Sequence, residues 1–245
     1  MKQTRLIMGM PITITILDIS AQTGDFNEVF TVFKKIDSQF SPYKKTSEVS
    51  RLNRKELLLE DISQEMREIF RLSDITKRES NGYFDIYRNG VLDPSGIVKG
   101  WAIQKAADML KSKGFKNFYL DAGGDIQVSG KNADGKGWKI GIRNPFNRLE
   151  HVKTIRLLSG AVATSGTAMR GKHIYNPHAK YSAVDEIMSI TVVASSIYDA
   201  DRFATAAFAM GKKGIQFIQG KKDLEGYMID KEGMATFTTG FGMYA

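Results

Sequence analysis

The stretch IVKGWAIQKAADMLKSKGFKNFYLDAGGDIQVSG, residues 97–130, predicts a helix followed by two short strands. The helix runs from about Ile97 to Lys113 and stops at Gly114, because glycine is favoured just past a helix end. Two strand-like runs then flank Gly123–Gly124. Helices and strands do not alternate strictly elsewhere in the chain, so the sequence predicts an α+β fold, with a largely antiparallel sheet packed with helices.

The segments on either side of this stretch add further elements of both kinds. Towards the N-terminus, isoleucines alternate with threonines in a strand pattern at Ile12–Ile16, and a helix is predicted by apolar residues at three- and four-residue steps, with Asp25 as a possible N-cap. Those apolar residues are Phe26, Val29, Phe30, Phe33, Ile36 and Phe40. Further helices are predicted at about Ser63–Lys77, Ala200–Gly211 and Ile215–Gln219, and strands at Trp138–Arg143, Thr154–Leu158, Ile187–Ala194 and in the tail segments EGYMID and ATFTTGF.

The composition is that of a globular protein, with 42% apolar and 25% charged residues over 245 residues. No repeat or linker divides the chain, so residues 1–245 are predicted to form a single domain. The net charge of +8 favours an anionic partner, which could be nucleic acid, a membrane surface or a phosphorylated small molecule. Nucleic acid is the weakest of these, because no dense basic run with interleaved aromatic residues is present.

Cysteine is absent, which excludes disulfides, cysteine-bound zinc, iron–sulfur clusters and thiol catalysis. With three histidines, any metal should be a hard cation held by oxygen ligands. No apolar run approaches the ~20 residues that span a bilayer. The N-terminus resembles a strand rather than a signal peptide, so the chain as it stands is expected to be cytoplasmic; a chain trimmed of an export signal would look the same.

The segment LDPSGIVKGWAIQKAADML, residues 92–110, combines features of an anion site. Pro94 and Ser95 precede a helix, and Gly96 permits close approach of a ligand to the backbone. Lys99 lies near the helix N-terminus, where a positive charge is disfavoured unless an anion such as phosphate is nearby. A capped helix that carries a lysine by chance is the alternative.

The segment DADRFATAAF, residues 199–208, places Asp201 and Thr205 on one face of a helix among small residues. A buried carboxylate needs a partner, and Mg²⁺ is a candidate because it prefers oxygen ligands. The alternative is an acidic residue that only complements the helix N-terminus.

Three loop segments carry further candidates. GKHIYNPHAK, residues 171–180, places His173 and His178 beside a turn, where a histidine can act as a general base or be an ordinary surface residue. Tyr43 follows Pro42 in a turn and could stack on a planar ligand, or could belong to an ordinary polar loop. In SNGYFDIYRNG, Asn81–Gly82 turns the chain into Tyr83, Phe84 and Asp85.

These segments, taken in order, resemble the FAD:protein FMN transferase family, also called the ApbE family. The matching pieces run from Met8–Gly9 to Thr239–Phe241, and the strings DPSGIVKG, DAGGD, ATSG and ADRFAT are the most specific. The resemblance implies an enzyme that binds FAD with Mg²⁺, splits its pyrophosphate and transfers FMN to a threonine hydroxyl of a target flavoprotein, releasing AMP. FAD is then a substrate rather than a redox cofactor.

The resemblance also implies roles for individual residues. The FAD contacts would be Met8, Tyr43, Tyr83, Phe84, Asp85, Asp93, Lys99 and Ile174. The Mg²⁺ ligands would be Asp201, Thr205 and the backbone carbonyl of Gly96. His173 would activate the acceptor threonine. Chemically, a lysine, a helix N-terminus and one Mg²⁺ provide the charge neutralisation that cleavage of a pyrophosphate requires.

Two alternatives to the transferase stay open. Near the acceptor side the chain departs from the family pattern at Lys172 and Asn176, which motivates an FAD pyrophosphatase that releases FMN and AMP. The other alternative is a flavin-binding protein without turnover. The target flavoprotein and the oligomeric state do not follow from the sequence.

Overall fold

The computed structural model describes residues 1–147, 149–167, 174–180 and 182–244. The strands are β1 (Lys2–Ile7), β2 (Met10–Ile16), β3 (Tyr87–Arg88), β4 (Val91–Leu92), β5 (Phe118–Ala122), β6 (Asp125–Ser129), β7 (Trp138–Arg143), β8 (His151–Leu157), β9 (Gly160–Gly166), β10 (Tyr175–Asn176), β11 (Ser182–Ala183), β12 (Ile187–Ala194), β13 (Glu225–Asp230) and β14 (Ala235–Phe237). The α-helices are α1 (Thr23–Phe40), α2 (Glu48–Asn53), α3 (Gln64–Glu79), α4 (Ser95–Ser112), α5 (Ile197–Ala209) and α6 (Gly214–Gln219).

One eight-stranded sheet organises the fold, in the order β1-β2-β5-β6-β9-β12-β13-β14. Every neighbouring pair in this sheet is antiparallel. The β5–β6 turn consists of Gly123 and Gly124, which both have positive φ angles, as a two-residue hairpin requires. The predicted α+β class with a largely antiparallel sheet is confirmed.

The helices cover one face of this sheet and bury the main core. All six apolar residues predicted for α1 are buried, and α4 packs against α1, α5 and strands β5 and β6. From the sheet, alternate residues of β2 enter this core, among them Ile12, Ile14 and Ile16, which are fully buried. The alternate residues of β2 and the apolar face of α1 therefore pack together in one apolar layer.

The hairpin β7–β8 covers part of the opposite face and encloses a second, smaller core. Trp138, Ile140 and Ile142 of β7 pack there against residues of the sheet that include Ile126 and Val162. The β7–β8 hairpin lies over the middle of the sheet, because its apolar partners come from β6, β9 and β12. The same face of β1 and β2 carries mainly polar residues, among them Thr4, Thr13 and Thr15, and it leaves a groove beside the hairpin.

Besides the two-residue strands and the 3₁₀ turns, three elements were not predicted from the sequence: β1, α2 and β9. β1 is an edge strand with only one buried residue, α2 has six residues, and β9 is built from small residues that resemble a turn. The N-cap of α1 is Gln22 rather than Asp25. Asp25 lies three residues inside the helix and accepts a hydrogen bond from the Gln22 N–H at 2.8 Å, so it forms the second half of a capping box.

Within the described part of the chain, no helix has the length and apolar character that crossing a membrane requires.

Candidate functional site

A cavity of about 1020 Å³ opens at the end of the sheet where the β5–β6 turn, the start of α4 and the first half of α5 meet. Its volume is at the upper end of the range for small-molecule sites. Nine residues that the sequence singles out line it: Tyr83, Phe84, Asp85, Asp93, Gly96, Lys99, Ile174, Asp201 and Thr205. The tertiary fold therefore brings together candidates that are up to about 120 residues apart in the chain.

Two other candidates, Met8 and Tyr43, are not part of this lining. Tyr43 is 92% exposed in the loop between α1 and α2 and lies outside the cavity. Met8 lies in the β1–β2 turn with its side chain packed on the main core, and its neighbours Gly9 and Met10 line the cavity instead. His173 lies outside the described residues.

The start of α4 differs in one respect from the anion site that the sequence predicts. The Ser95 N–H donates to Asp93 Oδ1 at 3.0 Å, and the N–H groups of Ile97 and Val98 both reach the Pro94 carbonyl. Several first-turn donors are therefore already used within the protein. The positive charge at this end of the cavity comes mainly from Lys99.

Lys99 lies between two buried carboxylates. Its ammonium forms a close ion pair with Asp125, and its Nζ lies 3.5 Å from Asp201 Oδ1. Asp125 also accepts a hydrogen bond from the Thr164 N–H at 3.1 Å, and Asp201 accepts one from the Gly100 N–H at 2.7 Å. Two carboxylates thus share one ammonium, which leaves this buried cluster short of positive charge.

Asp201 shows this shortage most clearly. The residue is 3% exposed, and burial raises the pKa of its carboxyl to about 7; the nearby Lys99 ammonium lowers the pKa and Asp125 raises it further. A divalent cation would supply the missing charge, so a hard cation fits this donor set. Among the described residues, no three side chains from His, Asp and Glu converge on one point, so such a cation would depend on hydroxyl and carbonyl oxygens as well.

Thr205 and Gly96, which both line the cavity with Asp201, would be the source of those oxygens. Thr205 lies one turn after Asp201 on α5, and its hydroxyl lies 3.5 Å from that of Ser165. The Gly100 N–H donates a hydrogen bond to Asp201 Oδ2, and helical geometry also directs this N–H towards the Gly96 carbonyl. A Cβ atom at position 96 would lie 3.2 Å from both Phe84 and Thr205, so only glycine fits there without movement of these side chains.

An aromatic wall faces this charged end of the cavity. The ring of Phe84 is buried, and the Tyr83 ring packs edge-on against His178 at a centroid distance of 4.5 Å. His178 Nε2 lies 2.8 Å from the Asn81 carbonyl, which ties this wall to the turn before Tyr83. An aromatic wall next to a lysine and a carboxylate pair that can hold a divalent cation can bind a planar ring system that carries a phosphate.

The structure adds residues to the site that the sequence analysis does not single out. Asp125 is one of them, although the DAGGD string that contains it is among those that carry the resemblance. On the opposite face of the sheet, Tyr119, Asp121, Arg143 and His151 also line the cavity. Burial raises the pKa of Asp121, while the nearby Arg143 guanidinium and the Gly124 N–H at 2.8 Å lower it. Strand periodicity alone does not identify these residues as neighbours.

Comparison with known proteins agrees with this architecture. The family model described as the ApbE family matches residues 8–91 and 87–228 of the chain. An FAD:protein FMN transferase from Vibrio cholerae is 34% identical over 132 residues, which are 50% of this chain and 39% of the relative. An FAD:protein FMN transferase from Haemophilus influenzae is 30% identical over 148 residues, which are 56% of this chain and 43% of the relative. The matched segments therefore span less than half of either relative.

The fold matches over a longer stretch than these sequence alignments. The solved structure of the flavin transferase ApbE from Vibrio cholerae superposes with a TM-score of 0.86 at 22% identity, and the match covers 100% of this chain and 99% of that chain. At this identity the likeness establishes the shared fold. Together with the family model, which matches most of the chain, it leads to one conclusion: the chain belongs to the ApbE family.

Proposed function

We propose that this protein is a Mg²⁺-dependent FAD:protein FMN transferase that attaches FMN to a threonine hydroxyl of an acceptor flavoprotein and releases AMP. The observation that carries the proposal is the pair of half-buried Lys99 and buried Asp201 beside Thr205, in a cavity that also has an aromatic wall. Relatives named FAD:protein FMN transferase support the same activity.

Some residues of the cavity bind FAD, and others neutralise the charge of its phosphates. Tyr83, Phe84 and Ile174 form the apolar part of the cavity that receives FAD. Lys99 neutralises phosphate oxygens, which is the main requirement for phosphoryl transfer. Asp201, Thr205 and the Gly96 carbonyl would hold Mg²⁺, which when bound would neutralise charge that develops on the pyrophosphate.

The transfer itself exchanges the phosphoanhydride bond of FAD for a phosphate ester. The acceptor hydroxyl oxygen forms a bond to the phosphorus of the FMN half, and the bond from that phosphorus to the oxygen of AMP breaks, so that AMP leaves with the electron pair. The family resemblance supplies His173 as the base that takes the hydroxyl proton. With water in place of the hydroxyl, the same arrangement releases free FMN and AMP.

A mass measurement tests the proposal. The protein is incubated with FAD and Mg²⁺, with and without an apo-flavoprotein domain that carries an acceptor threonine. We expect the acceptor to gain the mass of one FMN, AMP to be released, and EDTA to block both. Free FMN and AMP with an unlabelled acceptor would identify a pyrophosphatase instead, and intact FAD would identify a binding protein.

The variant Asp201→Ala tests the metal site in the same assay. We expect it to lose Mg²⁺-dependent turnover, because it removes the one carboxylate in the proposed ligand set. Asp199→Ala is the matched control: Asp199 lies two residues earlier on α5, pairs with Arg202 at 2.7 Å and does not line the cavity. Full turnover of the Asp201 variant would refute the metal assignment.

A further inference from the structure

The cavity does not end at the charged cluster but continues around the end of the sheet. Asp125 faces the helices and contacts Lys99, whereas Asp121 belongs to the opposite face, where it is opposite Ile126 of β6. Both carboxylates line the same cavity, and the Gly123–Gly124 turn lies between them. We call the part on the second face the side groove; it is lined by Thr13, Tyr119, Asp121, Arg143 and His151.

One wall of the side groove is open sheet surface. Thr13 of β2 is directly opposite Asp121 of β5, and Thr4 of β1 is directly opposite Thr13, so the three residues form a row across one face of the sheet. Polar residues make up this row because the hairpin covers the sheet only farther on, over Ile126 and Val162. Thr4 is exposed and lies outside the cavity, while Thr13 is half-buried and lines it.

The other wall of the side groove is an edge of the β7–β8 hairpin. Strand β7 pairs with β8 on one side, and its other edge has no strand partner within the described residues. The Trp138 ring of β7 lies 5.5 Å from the Tyr119 ring, whereas β8 contacts the 3₁₀ turn Phe241–Tyr244. The unpaired edge of β7 therefore faces the groove, where its backbone can pair with an added extended segment.

The side groove differs chemically from the charged end of the cavity. It combines a carboxylate at Asp121, a guanidinium at Arg143, an imidazole at His151 and hydroxyls at Thr13 and Tyr119. Donors and acceptors of both signs suit a polypeptide, which presents N–H and C=O groups alternately, better than a polyphosphate, which presents only acceptors.

The turn between the two parts of the cavity leaves room for a side chain to pass. Gly124 has a φ of +102°, and a Cβ atom at this position would meet no atom within 4 Å, so the space above the turn is open. A hydroxyl side chain of a segment in the side groove can therefore cross the turn towards Asp125 and Lys99.

We propose that the side groove binds an extended segment of the acceptor polypeptide, which pairs with the free edge of β7 and presents its hydroxyl over Gly124. The inference rests on the proposed transferase function and deepens it, because it assigns the acceptor a place separate from FAD. The chemical step is the transfer described above, with the same bonds formed and broken.

The absence of cysteine from the chain makes a clean test possible. Thr13→Cys places a single thiol in the side groove, and Thr4→Cys places a matched thiol on the same sheet face outside it. The two threonines share one hydrogen bond of 2.9 Å, so either substitution removes the same interaction. Each variant is assayed before and after modification with a biotin–polyethylene glycol maleimide, so every protein is its own folding control.

We expect modification at position 13 to lower kcat/KM for the apo-flavoprotein acceptor by about tenfold or more, with the Kd for FAD changed by less than about twofold. Modification at position 4 should change neither value by more than about twofold. Unaltered transfer after modification at position 13 would overturn the proposal, and so would a matching loss of FAD affinity, which would assign the groove to FAD.

A protection experiment gives a readout that does not depend on turnover. The apo acceptor should slow maleimide modification at position 13 but not at position 4, whereas FAD or AMP alone should slow neither. Protection by FAD or AMP alone, or no protection by the acceptor, would overturn the proposal. Failure of the transferase function itself would appear separately, as an absence of acceptor labelling by the unsubstituted protein.

Discussion

Replacing Asp201 by asparagine should relieve an electrostatic cost that the metal-free protein carries at neutral pH. The carboxyl is 3% exposed and shares the single ammonium of Lys99 with Asp125. Its pKa is raised from an ordinary value of 3.8 to about 7. Between these two pH values the folded protein keeps a proton on Asp201, whereas the unfolded chain releases it. The free energy of unfolding should therefore fall as the pH rises from about 4 to 7.

The pKa shift sets the size of this effect. One pKa unit corresponds to about 1.36 kcal/mol, so ionisation of Asp201 lowers the free energy of unfolding by up to about 4 kcal/mol at pH 8. For a chain of this length, such a difference shifts Tm by roughly 10 °C. Asp201→Asn removes the titration and keeps an oxygen that can accept from the Gly100 N–H. Its Tm without metal should therefore change less with pH.

Thermal unfolding between pH 4 and 8, with EDTA or with Mg²⁺, measures both parts of this argument. Mg²⁺ at about 100 times its Kd should stabilise the unsubstituted protein at pH 8 by about 2.7 kcal/mol and leave Asp201→Asn nearly unchanged. Asp199→Asn should keep the full Mg²⁺ response. An Asp201→Asn variant that kept both the pH dependence and the Mg²⁺ stabilisation of the unsubstituted protein would refute these roles of Asp201.

Three further predictions concern the same site. Gly100→Ala should lower the free energy of unfolding by about 1–3 kcal/mol in urea titrations, because the added Cβ would lie 2.7 Å from the Cβ of Asp201. The control is Gly24→Ala in α1, where the added Cβ meets no atom within 4 Å. This control should be neutral or stabilising. Lys99→Met should reduce kcat/KM for FAD by about 30- to 100-fold at saturating Mg²⁺, and a loss below about threefold would contradict its role at the phosphates. His173→Ala should reduce FMN transfer far more than the affinity for FAD in a fluorescence titration, and equal losses in both would indicate a structural histidine.

The sequence predicts local structure well where a periodic pattern extends over several turns or strand residues. The buried phenylalanines of α1 and the isoleucines of β2 follow their periods closely, because each side chain faces the same apolar layer. Prediction fails where the pattern is short or where tertiary contacts replace it. Strand β9 is made of small residues and becomes a central strand only because β6 and β12 pair with it on both sides.

In the candidate site, too, some features follow from local sequence patterns and others depend on tertiary packing. Helical spacing alone places Asp201 and Thr205 on one face, and the start of α4 is visible as Pro94–Ser95. That Lys99 meets Asp201 across about one hundred residues depends on how α4 packs against α5. Tyr43 shows the converse, because a suitable residue in a suitable turn is 92% exposed and lies outside the cavity.

The sequence by itself determined the α+β class, the family and the residue types available for chemistry, because these depend on local periodicity and on short motifs in a set order. Only the tertiary structure decided that Asp125 and Asp201 share one ammonium, and that Asp121 and Arg143 form a groove on the other face of the sheet. The physical reason is that a shared charge or a groove depends on distances in space between segments remote in the chain, and no local pattern encodes those distances.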